Sequence, residues 1–533
     1  MVLGWLLAGT AGSAVAGGPA GFPGTGTGAI PDGNPAGLTI SFAVSGIVRP
    51  VGSVQVSIDL THTWVGDVQA TLISPGGKAR LVVFGRVGTG KASTFGDSSN
   101  LGGLYWFYDG AVGDLWAAAA LIDTNAAVPP GSYRTLSSGA PQKSNLGGCP
   151  TSLNGVFSGL QDSDANGTWT LVVSDAVSSD AGTVNAATLY VGMVNDGVFM
   201  DGFETFIARG PEGTVITPQP RCWNKPLADF TGDGLTDFTI LHPNAGTVEW
   251  TILPNLGAGT AGAALPMLTL GTSASVFDSF DIDGDRIADP AAWTAGDWAI
   301  RPSSRGFAEV WFRTHGQTND DVMQSADYDG DSIDDTALVR APPFGSPPGP
   351  VELRVQSSML GWEFPVSIGT GVTSALFAVG GFDYSGDGKP DVAVQRAGAG
   401  SVGDFTIYDG RNGSTLSAFT LGTSSDFIIP GNHTGSYYAD VTVSRAVSGN
   451  RVWETRDSET GVVQPPVTFS IVGDQRLGGD YDGDGLTDHA VWHPSTTPGA
   501  SQFQIRPSTN TAVVWNLAAG ISGDYAVAGA RVH

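Results

Sequence analysis

The chain has 533 residues, 51 of them acidic against 25 basic, for a net charge of −26. No basic cluster interrupts that excess, which argues against binding to nucleic-acid backbones or anionic lipid headgroups. With 77 glycines and only 14% charged residues, the composition suits a turn-dense all-β protein of two or three cores rather than a disordered chain.

The first residues, MVLGWLLAGTAGSAVAGG, carry an apolar stretch followed by Ala14-Val15-Ala16, an A-x-A signal-peptidase pattern, but without the usual Lys or Arg at the start. Residues 1–16 are therefore expected to be a signal peptide and the protein to be secreted or held at the cell surface; a buried N-terminal segment is the alternative. No other apolar run is long enough to span a bilayer. The two cysteines, Cys149 and Cys222, could pair in an oxidising compartment or remain two buried thiols.

Residues 28–194 alternate apolar and polar positions in short runs (LTISFAVSG, SVQVSIDL, VQATLISP, TWTLVVSD, AATLYVGM) separated by Gly, Pro and Asn turns. The pattern predicts a β-sandwich of about eight strands. Within it Asp59, His62, Asp67, Asp175 and Asp180 could hold a calcium ion, but turn capping and strand-end hydrogen bonding are the expected roles. The stretches IPD at 30–32, VSIDLTHTWVGDVQATLISPGG at 56–77 and NGTWTLVVSDAVSSDAGTVNAATLYV at 166–191 resemble the P domain, or Homo B domain, that follows the catalytic domain of proprotein convertases. The family's Gly-x-Tyr-x-Pro turn is replaced here by GSYRTLSS at 131–138. The resemblance implies a jelly-roll-like sandwich and an association with subtilisin-like serine endopeptidases.

A subtilisin-type enzyme needs Asp, His and Ser brought together, the Ser usually in G-T-S-x-x-x-P. GTSASV at 271–276 matches half of that pattern, but GTS recurs at 422–424 in the same place of a later repeat. Ser273 reads as repeat punctuation, and no catalytic residue is nominated. Residues 195–220, with NDGVFMDGFE and PEGTVITPQP, read as a linker; the DGFE segment at 201–204 is similar to one found near domain ends in secreted proteins of some Gram-negative bacteria.

Beyond residue 221 one pattern repeats: DFTGDGLTD from Asp229, DIDGDRIAD from Asp281, DYDGDSIDD from Asp327, DYSGDGKPD from Asp383 and DYDGDGLTD from Asp480. An EF-hand would need a Glu at position 12; these loops have Ile240, Ala292, Leu338, Val394 and Val491 there, each in a run that reads as strand. Oxygen donors at positions 1, 3, 5 and 9, with a backbone carbonyl near 7, suit calcium better than magnesium or zinc. Starts at 229, 281, 327, 383 and 480 leave a gap of almost two repeats, filled by NHTGSYYAD. There Asn432, Thr434, Ser436 and Asp440 keep the turn and lose most of the charge, so this loop is expected to bind calcium weakly or not at all.

A period near fifty residues, with a strand, the loop and three further strands per repeat, predicts propeller blades. The terminal DYAVAGARVH looks like the strand before each loop and could close the ring over residues 221–533; six blades are expected, seven being the alternative. Tryptophans at 250, 293, 298, 311, 453, 492 and 515 read as packing between blades. The repeats resemble the FG-GAP or VCBS repeats of integrin α-subunits and many secreted bacterial proteins. That resemblance implies structural calcium, in about five sites, held by Asp229, Thr231, Asp233 and Asp237; Asp281, Asp283, Asp285 and Asp289; Asp327, Asp329, Asp331 and Asp335; Asp383, Ser385, Asp387 and Asp391; and Asp480, Asp482, Asp484 and Asp488. Thr231 and Ser385 each remove a charge and weaken their sites. The expected function is non-catalytic binding or adhesion to an extracellular protein or glycan; the alternative is an accessory role beside a subtilisin-like protease.

Overall fold

The computed structural model describes residues 19–88, 96–111, 113–122, 125–137, 149–158, 160–193, 227–331, 333–343, 345–358, 361–371, 376–386, 389–435, 438–497 and 499–528. The expected signal peptide (1–16), the linker at 195–220 with its DGFE segment, Cys222, Ser436 and Asp387 lie outside them.

The N-terminal domain follows the alternation of its strands. In Val51–His62, Val54, Val56, Ile58 and Leu60 are fully buried while their neighbours Gln55 and Asp59 are not, the period of two that one packed sheet face imposes. One layer runs through Gly182–Met193, Val51–His62 and Leu101–Phe107. The other runs through Leu38–Val44, Gly167–Asp175, Val68–Ile73 and Arg80–Phe84. The strand Ala20–Thr25 joins them, pairing first with Gly182–Met193 and then with Leu38–Val44, so sheet formation starts ahead of residue 28. Trp169, Phe42, Phe84, Phe107 and Phe157 fill the space between the layers.

Twelve strands are paired here, against the eight or so expected. The excess lies in two-residue strands such as Gly28–Ala29, Leu136–Ser137 and Cys149–Pro150, too short to show a period. Two short helices were also illegible as periodicity, because polar caps define them. Asp114 accepts from Trp116 N and Ala117 N ahead of Leu115–Ala120. Before Leu153–Phe157, Asp109 accepts from Ser152 Oγ, Leu153 N and Asn154 N at 2.8 to 2.9 Å, satisfying helix-end donors that have no intrahelical partner.

The C-terminal part is a six-bladed propeller of four-stranded antiparallel sheets. Blade 1 combines Phe238–Asn244, Thr247–Leu253 and Leu268–Thr269 with the C-terminal strand Tyr525–Val527, whose Val527 stands opposite Thr239. The last strand therefore closes the ring, as its sequence suggested. Blades 2 to 6 start at Val276–Phe280, Asp321–Val322, Leu376–Phe382, Phe427–Gly431 and Gln475–Leu477. Neighbouring first strands touch, as Leu376–Phe382 does Phe427–Gly431, which makes them the innermost strands.

The tryptophans do pack the seams. Trp250, Trp298, Trp453 and Trp492 are buried, and the indole N–H of Trp250, Trp453 and Trp492 donates to Leu270 O, Phe469 O and Ala519 O. The GTS tripeptides belong to the turn before a first strand, where a side chain at its end caps the turn. Thr272 N donates to Ser275 Oγ, and Gln317, Thr423, Ile471 and Ile521 N donate to Asp320, Asp426, Asp474 and Asp524. Each of these four aspartates also meets a basic side chain toward the end of its blade's second strand: Arg340, Arg445, His493 and His242.

Candidate metal centres in the blade loops

In blades 2 to 6 the loop joins the first strand to the second, and at Asp229 it leads into the second strand of blade 1, Phe238–Asn244; its shape follows from where the carboxylates find donors. The residue at position 1 folds the loop back by accepting from the N–H of position 4: Gly232, Gly284 and Gly483 to Asp229, Asp281 and Asp480 at 2.6 Å, and Gly435 to Asn432 at 2.9 Å. Position 4 is glycine because its φ lies between +73° and +92° in these loops and in Gly330 and Gly386, a region costly for residues with a Cβ.

Position 9 is a staple. One oxygen accepts from position 2: Phe230 N to Asp237, Ile282 N to Asp289, Tyr328 N to Asp335, His433 N to Asp440 and Tyr481 N to Asp488, at 2.7 to 3.0 Å. The other accepts from the start of the connection between the third and fourth strands, at Asn255, Ser303, Ser358, Ser458 and Ser508. In blade 4 Asp391 accepts from Ser385 N.

Positions 3 and 5 face the same connection in two blades. Ser304 Oγ donates to Asp283 at 2.5 Å and Ser303 Oγ to Asp285 at 3.0 Å; Ser508 Oγ donates to Asp484 at 2.7 Å and Thr509 Oγ1 to Asp482. These hydroxyls were not nominated from sequence. They had a signal, since IRPSS at 300–304 and IRPST at 505–509 repeat at the same place in their blades.

Three loops gather carboxylates into one cluster: Asp281, Asp283 and Asp285; Asp327, Asp329 and Asp335; Asp480, Asp482 and Asp488. In each, one oxygen per residue lies within 4.8 Å of the others. Among the described residues, the loop at Asp229, where Thr231 stands at position 3, forms no such three-residue group. Buried Asp283 Oδ1 and Asp331 Oδ2 have no hydrogen-bond partner, a costly state for a carboxylate. Burial first, and neighbouring carboxylates with it, pushes Asp331 up to about 9 and Asp488 to about 8, and Asp285, Asp289 and Asp335 well above the usual range. All-oxygen donors, mutual repulsion and orphaned acceptors fit a hard divalent cation.

The loop at Asp281 also meets the sandwich. Ser152 N donates to Gly284 O at 2.9 Å, and a Cβ on Gly155 would stand 2.4 Å from Asp283 O.

The acidic residues singled out in the sandwich find other partners. His62 Nε2 lies 3.2 Å from Asp175 and its Nδ1 accepts from Trp64 N. Asp67 stands 3.7 Å from Arg86, Asp180 accepts from Thr63 Oγ1, and Asp59 accepts from Asn185. Ser273 is exposed on its turn.

Fold and loops together define a β-sandwich joined to a six-bladed propeller with acidic loops. Residues 51–99 match the family model described as the proprotein convertase P-domain, from the strand Val51–His62 past Arg80–Phe84. No curated protein matches the chain. Among solved structures, the Dos1 propeller is 10% identical with a TM-score of 0.29, over 56% of this chain and 77% of its own. The BBS1N structure in complex with ARL6DN gives 11% and 0.31, over 57% and 82%. Rhamnogalacturonan lyase YesW gives 14% and 0.26, over 52% and 60%. At these scores the six-bladed architecture rests on the strand pairing of this chain itself. No helix among the described residues is long and apolar enough to cross a membrane.

Proposed function

We propose that this is a secreted, calcium-stabilised binding protein of the FG-GAP or VCBS type, without catalysis of its own, recognising an extracellular protein or glycan. The observation that carries the reading is a three-carboxylate cluster in the same loop of three blades, with buried oxygens left unpartnered. In this reading Asp281, Asp283 and Asp285, Asp327, Asp329 and Asp335, and Asp480, Asp482 and Asp488 hold Ca²⁺. The ion supplies charge neutralisation and no reaction chemistry. The aspartates then serve the scaffold: they clip the first strand of a blade to the second.

The P-domain match over residues 51–99 supports a second reading, an accessory or targeting role beside a subtilisin-like serine endopeptidase. Both readings make the chain a binder. Purified protein in calcium is expected to bind a glycan, or a protein of the producing cell's surface, saturably and to leave casein intact. Casein hydrolysis abolished by a serine-directed inhibitor would overturn both.

A further inference from the structure

The seam between blades 5 and 6 holds a second kind of site. Phe427, on the innermost strand of blade 5, stands opposite Ser444, which stands opposite Trp453, two residues after Arg451. Ile429, Trp453 and Val491 share one apolar cluster in this seam. Phe427 and Arg451 lie two residues from Ile429 and Trp453, and Arg476 pairs with Val491, so by strand alternation all three side chains face the same seam. The contacts agree: the Arg476 guanidinium lies 3.5 Å from the centre of the Phe427 ring and that of Arg451 lies 5.9 Å from it.

These two cations lack an anion. Arg451 is 9% exposed, and its buried Nε has no hydrogen-bond partner; nor do Nε and Nη1 of Arg476. Ser444 Oγ, fully buried on the same face, is also unpartnered. Among the described residues no carboxylate forms an ion pair with either arginine. The nearest acidic influence on Arg451, Asp474, is already held by His493 Nδ1 at 2.6 Å and Ile471 N at 2.9 Å. Burial and the charge of Arg451 press the Arg476 guanidinium down to about 10. Two desolvated guanidiniums that repel each other, in a chain of net charge −26, form an arrangement that an oxyanion would complete, because planar forks match carboxylate and sulfate oxygens. Phe427 and Arg476 are only half-buried, which leaves the inner end of the seam reachable.

We propose that the seam between blades 5 and 6 is an oxyanion-binding site in which Arg451, Arg476 and Ser444 donate to a sulfate or carboxylate group, free or carried by an acidic sugar. The site needs neither the calcium loops nor a particular macromolecular partner. Calorimetric titration of the full chain in calcium-containing buffer with sulfate, with glucuronate and with chloride as control tests it. Sulfate or glucuronate is expected to bind, and Arg476→Met and Arg451→Met each to weaken binding by at least about tenfold. Arg451→Met should melt at or above the parent temperature without anion, since it removes an unpaired buried charge. Sulfate binding without glucuronate binding would make it an inorganic-ion site; tighter glucuronate binding would make the ligand an acidic sugar. Should Arg476→Met not fold, Arg476→Lys keeps the charge, loses the fork and is expected to show the same weakening. Absence of binding by either anion, an equal response to chloride, or undiminished binding in the variants would overturn the proposal.

Discussion

Chelation is expected to lower the melting temperature of the propeller by about 15 °C and to leave the sandwich largely untouched. At a hundredfold excess over Kd a ligand stabilises by about 2.7 kcal/mol per site, so the three clustered loops give about 8 kcal/mol, at about 2 °C per kcal/mol for a large domain. The effect carries a pH signature. Burial pushes Asp237 and Asp488 up to about 8, Asp331 to about 9 and Asp480 to about 7, against about 3.9 in an unfolded chain. Folded values above unfolded ones mean stability that is complete at low pH and lost as pH rises through 7 to 9. In chelator the propeller should therefore melt lower at pH 8.5 than at pH 6.5. Calcium displaces those protons, so the gap between calcium and chelator should widen with pH. His433 and His489, pressed by burial to about 4 and 3, act in the opposite sense, but below pH 6.5. Calorimetry at the two pH values, with and without EDTA, checks both statements; melting indifferent to EDTA at either pH would refute the loop assignment.

The second large effect separates staple from ligand. Asp488 and Asp440 are both fully buried. Asp488 accepts from Tyr481 N and Ser508 N at 2.8 and 2.7 Å, and Asp440 from His433, Thr434 and Ser458 N at 2.8 to 3.1 Å. Replacing either with alanine leaves these N–H groups unpaired at about 1–3 kcal/mol each, a loss in urea unfolding of about 2–6 kcal/mol for the two at Asp488 and about 3–9 kcal/mol for the three at Asp440. Asp488→Ala should also lose part of the calcium increment. Asp440→Ala, in the loop that has Asn432 and Thr434 where others carry carboxylates, should keep all of it. An unchanged Asp440→Ala stability would contradict the staple role, and a lost increment would make that loop a metal site.

The propeller was legible because each blade repeats its loop, and the gap between Asp383 and Asp480 announced the blade that had lost its charges. Even the GTS turns could be set aside as punctuation, since Thr272 and Thr423 occupy equivalent places. What escaped is what the fold brings together from distant positions. Ser303 and Ser304 reach Asp285 and Asp283 across two strands, and Arg451 and Arg476 meet only because blades 5 and 6 are neighbours. The pairs Asp320–Arg340 and Asp426–Arg445 repeat at spacings of twenty and nineteen residues, a signal visible once the turn before each first strand is recognised as a cap. In the sandwich, strands of two residues and helices of one or two turns carry no period to read.

The central claim is that the loop aspartates hold calcium for the scaffold, and counting bound metal tests it most directly. Equilibrium dialysis of the full chain against calcium, with the metal measured by atomic absorption, should give at least three ions per chain for the three clustered loops. The double variant Asp283→Asn/Asp285→Asn should hold one fewer. No retained calcium at millimolar concentration, or an unchanged count in that variant, would contradict the account.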